Sequence, residues 1–396
     1  MRPELQLFSF PLSLVLAAAL AVCIFLYPKK HPCILSIAVL ALMAAGFAVL
    51  GCLRAVPTHR YLLAPLVLAA IFLSGVTARD GIRERRSISF ILSHLGLCIL
   101  LSFSFFSAPD RIDTALTIEK GKAVHLTEES MPLPFETALV EVHTEYYEGT
   151  DIAKQYKCTI LTDSVTRHIS VNHPALHKGW LLYLSDFDRE DGSRALLRVV
   201  RDPSIPGVLL GMILLLAGAA AGLKRSWKSR LTWPALIVLA ILFTAISVSR
   251  IRFATLPPAL RSFWFAPHLI VYMIAYSAMA LSLVCMLLSL IPRLVRARDL
   301  AVPLMETSSA LILMGIVFGS IWAQLSWGDY WAWDAKECWA AATFLLTLCA
   351  IHLPRKRSTA AYAVAMILSF TAMQMTWYGV NYLPSAQDSM HTYNNK

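Results

Sequence analysis

The densest chemistry in the chain lies in one stretch, Trp327-Gly328-Asp329-Tyr330-Trp331-Ala332-Trp333-Asp334-Ala335-Lys336-Glu337-Cys338-Trp339. Four tryptophans within 13 residues can line an interfacial belt, because indoles favour the headgroup level of a membrane. That simple account leaves Gly328, Asp334 and Glu337 unexplained. A flat aromatic shelf with fixed polar groups instead suits a large, planar, amphipathic ligand such as a porphyrin. Four histidines sharpen the point: His94, His268, His352 and His391. Neutral imidazole is a common axial ligand of haem iron, and two imidazoles on opposite faces hold a porphyrin without a covalent bond. Taken singly, each histidine is more simply a hydrogen-bonded or snorkelling interfacial residue. Taken together, the four favour ligation. His125, His143, His168, His173 and His177 fall in a polar segment as surface or turn residues, and His31 and His59 sit in short loops with no assigned role.

These residues are positioned by an unusually apolar chain. Of its 396 residues, 57% are hydrophobic and 15% charged, against about 25% charged in an average globular protein. That balance excludes a disordered chain and disfavours a soluble enzyme. Apolar runs of spanning length recur at about 7–27, 34–53, 61–78, 88–107, 205–223, 232–249, 264–290, 307–325, 338–353 and 360–382. The predicted fold is therefore a polytopic α-helical membrane protein of about ten transmembrane helices with one small extracytoplasmic β-rich domain. The first run is expected to span rather than to be a cleaved signal. The net charge of +10 arises from Lys and Arg in alternate short loops, such as Arg79, Arg83, Arg85 and Arg86, then Arg293, Arg296 and Arg298. Positive charge is retained on the cytoplasmic side, so the expected topology puts both termini, segment 109–204 and loop 326–338 outside. On that topology His94 and His352 lie near the inner side, and His268 and His391 bracket the tryptophan loop at the outer side. Nothing in the basic residues resembles a nucleic-acid groove.

Segment 109–204 carries short runs of strand formers, Ala138–Val142, Tyr156–Leu161, His168–Val171, Trp180–Leu184 and Ala195–Val200. Turn signals at Glu148-Gly149-Thr150-Asp151 and Asp191-Gly192-Ser193 separate them, predicting a small antiparallel sheet or sandwich. The eight cysteines include no C-x-x-C pair, which argues against a zinc knuckle, a thioredoxin-like motif or covalent haem within the chain itself. The expected organisation is 1–107, four N-terminal spans; 108–204, the β-rich domain; and 205–396, a second membrane part with the loop at 326–340.

Trp327-Gly328-x-x-Trp331-x-Trp333-Asp334-x-Lys336-Glu337-x-Trp339 resembles the tryptophan-rich WWD motif of haem-handling proteins in cytochrome c maturation. Ala259-Leu260-Arg261-Ser262-x-Trp264-x-x-x-His268, Tyr276, His352-Leu353, and Val380-Asn381-Tyr382-Leu383 ahead of His391-Thr392-Tyr393 are similar to the CcsA branch over about 230–396. The first half is similar to its ResB (CcsB) partner through His94-Leu95-Gly96, Val171-Asn172-His173-Pro174, Gly179-Trp180 and Val200-Arg201-Asp202-Pro203. The chain thus looks like a compact fusion of the CcsBA type, the System II holocytochrome c synthases. The polar segment is shorter than in most ResB-like proteins, Cys338 stands where Thr is common, and Thr392 follows His391 in place of the usual Ser.

The resemblance implies a haem lyase of the inner, cytoplasmic membrane, with its loop and β domain on the periplasmic side. Haem b is then both substrate and transient ligand. By motif, His94 and His352 receive it in the membrane. His268 and His391 hold it at the outer side and are the catalytic pair, with Trp327, Trp331, Trp333, Asp334 and Trp339 around the macrocycle. All four histidines are candidate axial ligands of the iron. Implied partners are apocytochrome c, haem and membrane lipid, with room for thiol-reducing proteins and none for nucleic acid. From the residues alone, three alternatives stand: a haem exporter or presenter without ligase activity, a bis-His membrane electron-transfer subunit, and a multi-span transporter with an ordinary aromatic belt.

Overall fold

The structure, a computed structural model, describes residues 10–28, 33–53, 62–106, 110–226, 255–353 and 359–386, with isolated positions at 234, 237, 238 and 241. The expected span at 232–249 and the candidate ligand His391 therefore lie outside the described residues.

Nine described helices build the membrane part: α1 (Phe10–Leu26), α2 (Cys33–Cys52), α3 (Ala64–Arg83), α4 (Ile88–Phe106), α5 (Ile205–Ser226), α6 (Phe265–Leu288), α7 (Arg298–Trp327), α8 (Ala335–His352) and α9 (Thr359–Trp377). Seven of them, α2 to α7 and α9, are long and apolar enough to cross a membrane. The protein is a helical membrane protein with a small β-rich domain.

Helix ends depart from the apolar runs where side chains supply what the runs lack. Helix α3 continues beyond the expected end at 78, through Arg79 and Asp80 to Arg83. The Arg79 guanidinium donates to the carbonyls of Phe25 (3.1 Å), Tyr27 (2.9 Å) and Ile24, capping the end of α1. It also pairs with Asp80 at 2.8 Å. A cation on orphan carbonyls at a helix C-terminus is favourable by hydrogen bonding and by the helix dipole. Helix α9 stops at Trp377, short of the end of its apolar run, and the chain proceeds through short 3-10 turns at Gly379–Tyr382 and Pro384–Ala386.

Between α4 and α5 lies a sandwich of two four-stranded antiparallel sheets, with strand orders β1-β8-β7-β6 and β2-β3-β4-β5. The strands are β1 (Ile112–Glu119), β2 (Ala123–Leu126), β3 (Pro132–Tyr146), β4 (Ala153–Thr162), β5 (Val165–Ser170), β6 (Ala175–His177), β7 (Trp180–Phe187) and β8 (Arg194–Arg201). Alternate residues face inward, so Leu116, Ile118, Ile160, Ile169, Leu182, Leu197 and Val199 form a closed core. The first and last strands pair from Ile112↔Arg201 to Glu119↔Arg194. Their pairing returns the chain to the membrane beside the point where it left, and α4 and α5 pack against one another.

Lys154 and Lys157 grip Glu145 from β4, the latter at 2.7 Å, and hold its carboxyl down to about 2. Lys178 and His177 likewise hold Asp163 well below the usual carboxylate range. A depressed carboxylate stabilises the fold above its unfolded value, about 4.3 for Glu, and that contribution disappears as pH falls toward the folded value. Amide exchange of β3–β5 in the full chain is therefore expected to be insensitive to these groups above about pH 5 and to show a loss of protection between about pH 4 and 2. Glu145→Gln should remove its own share of that acid sensitivity; an unchanged acid profile would refute the assignment.

The membrane helices pack through small residues. Gly207, Gly211, Gly218 and Gly222 of α5 face α4; a Cβ on Gly211 would meet the Leu100 backbone at 2.7 Å, and one on Gly96 would meet the Leu215 backbone at 2.9 Å. Without a hydrophobic drive in lipid, such close approach and interhelical hydrogen bonds hold a bundle together. Ser89 donates to the Gly218 carbonyl (2.8 Å), Ser282 to that of Ala301 (2.7 Å) and Ser308 to that of Ala275 (2.8 Å).

Candidate functional site: two histidine stations and an aromatic loop

His94 sits in the second turn of α4, at the end of the bundle away from the β domain. His352 is the last residue of α8, which runs from the tryptophan loop to that same end. The two ring centroids lie 6.2 Å apart with the planes at 79°. Each Nδ1 donates to the carbonyl one turn back, His94 to Phe90 and His352 to Leu348, both at 2.8 Å. With Nδ1 carrying the proton, Nε2 carries the lone pair that a metal needs. At this separation the two imidazoles are the side chains that would hold a haem iron at this end of the bundle. Among the described residues, no three His, Cys, Asp or Glu side chains gather as an all-protein metal site would require.

At the β-domain end, His268 lies in the first turn of α6. Its Nδ1 donates to the Gly315 carbonyl of α7 at 2.8 Å, so the same tautomer is presented as at the other station. Its ring packs 5.0 Å from Tyr272 and 5.9 Å from Trp322, which in turn touches Trp327 at 5.3 Å. Trp322 is buried and donates from Nε1 to the Ala259 carbonyl at 3.0 Å, tying the segment before α6 to α7. The imidazole occupies space that exists because residue 319 has no side chain: a Cβ there would lie 2.6 Å from Nδ1 and Cε1. Gly319→Val is therefore expected to displace the ring while leaving the imidazole in the chain. Overpacking of this kind costs about 1–3 kcal/mol. The variant should match His268→Ala in covalent haem labelling of a C-x-x-C-H reporter; labelling at the parent level would show that the ring does not depend on this contact.

The tryptophans serve different neighbours. Trp327 ends α7 against Trp322. Trp331 and Trp333 both engage Phe47 of α2, the former edge-on at 6.4 Å and the latter stacked at 5.4 Å with planes 6° apart. Trp339 projects from α8 against Gly51, where an added Cβ would lie 2.8 Å from the indole. The loop is held taut. Gly328 closes α7 with φ 86°, a left-handed cap that glycine adopts freely. Trp333 has φ 63°. That conformation costs a bulky side chain about 1 kcal/mol or more.

Asp334 and Glu337 explain how that strain is sustained. The Asp334 carboxylate accepts from the Glu337 amide at 2.7 Å, and Glu337 Oε2 accepts from the amides of Ala332 (2.7 Å) and Asp334 (3.4 Å). This is a reciprocal capping box at the start of α8. Asp334, expected among the ligand contacts, is thus engaged in shaping the loop. The Asp-x-x-Glu spacing ahead of an apolar run is the sequence signal for it, and it also explains why α8 begins at Ala335 rather than at 338.

Sequence reasoning missed the β-domain residues that meet the loop. Arg111 pairs with Asp329 at 2.6 Å and Arg198 with the other oxygen at 2.7 Å. Gln324 donates to the Tyr183 hydroxyl at 3.0 Å, and burial pushes that phenol up to about 12. Ser326 donates to Asn172, which itself donates to the Pro258 carbonyl at 3.0 Å. No local pattern marks these pairs, because their partners are remote from one another along the chain.

A family model described as Cytochrome C assembly protein matches residues 207–386, and one described as ResB-like family matches residues 85–198. Among curated proteins, one named Cytochrome c biogenesis protein CcsA from Guillardia theta is 28% identical over 176 residues, 35% of this chain and 57% of that protein. Its namesake from Porphyra purpurea is 35% identical over 85 residues, 21% of this chain and 26% of that protein. Protein NrfI of Wolinella succinogenes is 35% identical over 86 residues, 21% of this chain and 9% of that protein. The chain spans little over half the length of the first of these relatives and far less of the others.

Proposed function

We propose that the chain is a cytochrome c biogenesis protein of the fused ResB–CcsA type that carries haem b through the membrane and joins it to the C-x-x-C-H thiols of apocytochrome c. The observation that carries this reading is the His94–His352 pair. Two helices from the two family segments bring their imidazoles to 6.2 Å, both in the tautomer that offers Nε2.

In this reading haem is cargo. It is received between His94 and His352 near the cytoplasmic face and passes to His268 and His391 near the periplasmic face of the inner membrane. Trp327, Trp331, Trp333 and Trp339 cover the macrocycle there, and Asp334 acts through the loop it caps. Each attachment adds a thiol S–H across a haem vinyl group: sulfur bonds to one vinyl carbon, hydrogen to the other, and nothing leaves. No acid–base triad is required. The chain's contribution is orientation, shielding and retention of the iron by two neutral imidazoles.

The test is coexpression with a C-x-x-C-H reporter in a host lacking its own maturation system. Haem that stays with the reporter after denaturation supports the synthase reading. Haem that copurifies with the chain while the reporter stays unlabelled would replace it with export or presentation alone. Absence of a low-spin haem spectrum from the purified chain would remove haem handling altogether.

A further inference from the structure

The tryptophan loop and the β domain meet through a compact charge cluster. Helix α7 ends at Trp327 with carbonyls that have no partner inside the helix. Arg198 of β8 donates to the Trp327 carbonyl, and Arg111, just ahead of β1, donates to the Gly328 carbonyl at 2.9 Å. Each arginine also holds one oxygen of Asp329, at 2.6 and 2.7 Å. Asp113 of β1 binds both guanidiniums, accepting from Arg198 Nε at 2.8 Å and from Arg111 Nη2 at 3.1 Å, and Asp202 lies 3.9 Å from Arg111. The side chains of Arg198 and Asp329 are only 24% and 19% exposed, so water screens their attraction far less than on an open surface.

The arrangement is specific in two ways. A planar fork of five donors reaches two carboxylates and a carbonyl from separate nitrogens, a spacing that lysine's single ammonium does not reproduce. Three carboxylates also face two guanidiniums, so no positive charge is left over to capture an anionic ligand. The cluster is built to hold protein against protein. It is seated on paired strands, Asp113↔Val200 and Ala115↔Arg198, which set Arg198 in the ladder and Arg111 at the entry to β1.

We propose that Arg111 and Arg198 are positioning residues for the aromatic loop: by gripping Asp329 and the last carbonyls of α7, the β domain sets the placement of Trp327 and Trp331 above the His268 end of the bundle. The functional consequence rests on the reading that this loop presents haem. The β domain is then a structural part of the presenting site as well as a periplasmic appendage.

The experiment uses the full chain, comparing the parent with Arg198→Met, Arg198→Lys and the near-isosteric Asp329→Asn. Two quantities are read: amide exchange at residues 329–334, and covalent labelling of the C-x-x-C-H reporter. Arg198→Met and Asp329→Asn are expected to accelerate loop exchange about tenfold and to lower labelling about tenfold, with Arg198→Lys between them and the parent. Combining Arg198→Met with Asp329→Asn should cost less than the sum of the two single changes, since the Arg198–Asp329 pair is lost in both. Loop exchange that stays at the parent rate in both single variants overturns the proposal, whatever labelling does. If the parent chain labels no reporter, the synthase reading falls, and accelerated exchange in the variants still upholds the positioning role. Asp329→Asn, which alters only the loop side, keeps the test decisive should Arg198→Met disturb the β domain.

Discussion

A chain carrying His268→Ala is expected to retain haem yet leave the C-x-x-C-H reporter essentially unlabelled. Removing even an outer-shell partner of a metal ligand costs about 10–100-fold in affinity or activity, so loss of an axial imidazole should reach at least about a hundredfold. The prediction rests on how firmly the ring is aimed. The Gly315 carbonyl holds Nδ1 at 2.8 Å, Tyr272 and Trp322 flank the ring, and Gly319 leaves the space for it. Truncation to alanine leaves a cavity of imidazole shape, so added imidazole should restore part of the labelling. His391→Ala is expected to behave alike. Labelling at the parent level in His268→Ala would sink the assignment of this ligand.

The second large effect concerns the opposite end. His94→Ala or His352→Ala should leave the purified chain with almost no low-spin haem, and reporter labelling should fall in parallel by about a hundredfold. If the two imidazoles grip one iron, either loss should be nearly as severe as both together, a clear departure from additivity. The asymmetry between the two stations is the sharper readout. If haem passes from the His94–His352 pair to His268, loss at the first station empties both, whereas loss at the second leaves the first filled. A His94→Ala chain that still loads and labels would refute that order of travel. The folding risk is modest: the α4 backbone beside His94 is held by Gly96 and by the Ser89–Gly218 hydrogen bond, and neither involves the imidazole.

The β domain was legible as a class of structure because alternation and turn residues are local. The runs at 138–142, 156–161, 180–184 and 195–200 fall within β3, β4, β7 and β8. The short strand β6, Ala175–His177, has no room for a period to develop. Strand β1 passed unread because its inward residues count only once it is paired with β8, at the far end of the domain sequence. Helix α3 shows the converse limit. Arg79 and Asp80 look like the end of an apolar run, yet Arg79 reaches back along the chain to cap α1, and the helix continues through it.

The four indoles illustrate the same boundary. Their spacing suggested one shelf, and the packing adds what backs each indole: Trp322 behind Trp327, and Phe47 of α2 behind Trp331 and Trp333. Asp334 and Glu337 left two roles open, orienting the loop or touching the ligand. Their hydrogen bonds with the loop amides support the first: Glu337 Oε2 accepts from two amides and Asp334 Oδ1 from one.

What the amino acids determined unaided is membrane embedding, a β-rich insertion, and a shortlist of imidazoles and indoles suited to a porphyrin. Those follow from hydropathy, alternation and ligand chemistry, which are properties of residues and their near neighbours. What only the tertiary structure decided is which of them meet: His94 with His352, His268 with Gly315, and Arg198 with Asp329, 131 positions away. Such encounters depend on how glycine-lined helices close against one another and how a paired β1 and β8 set the sandwich down on the bundle, and that packing is a property of the whole chain at once.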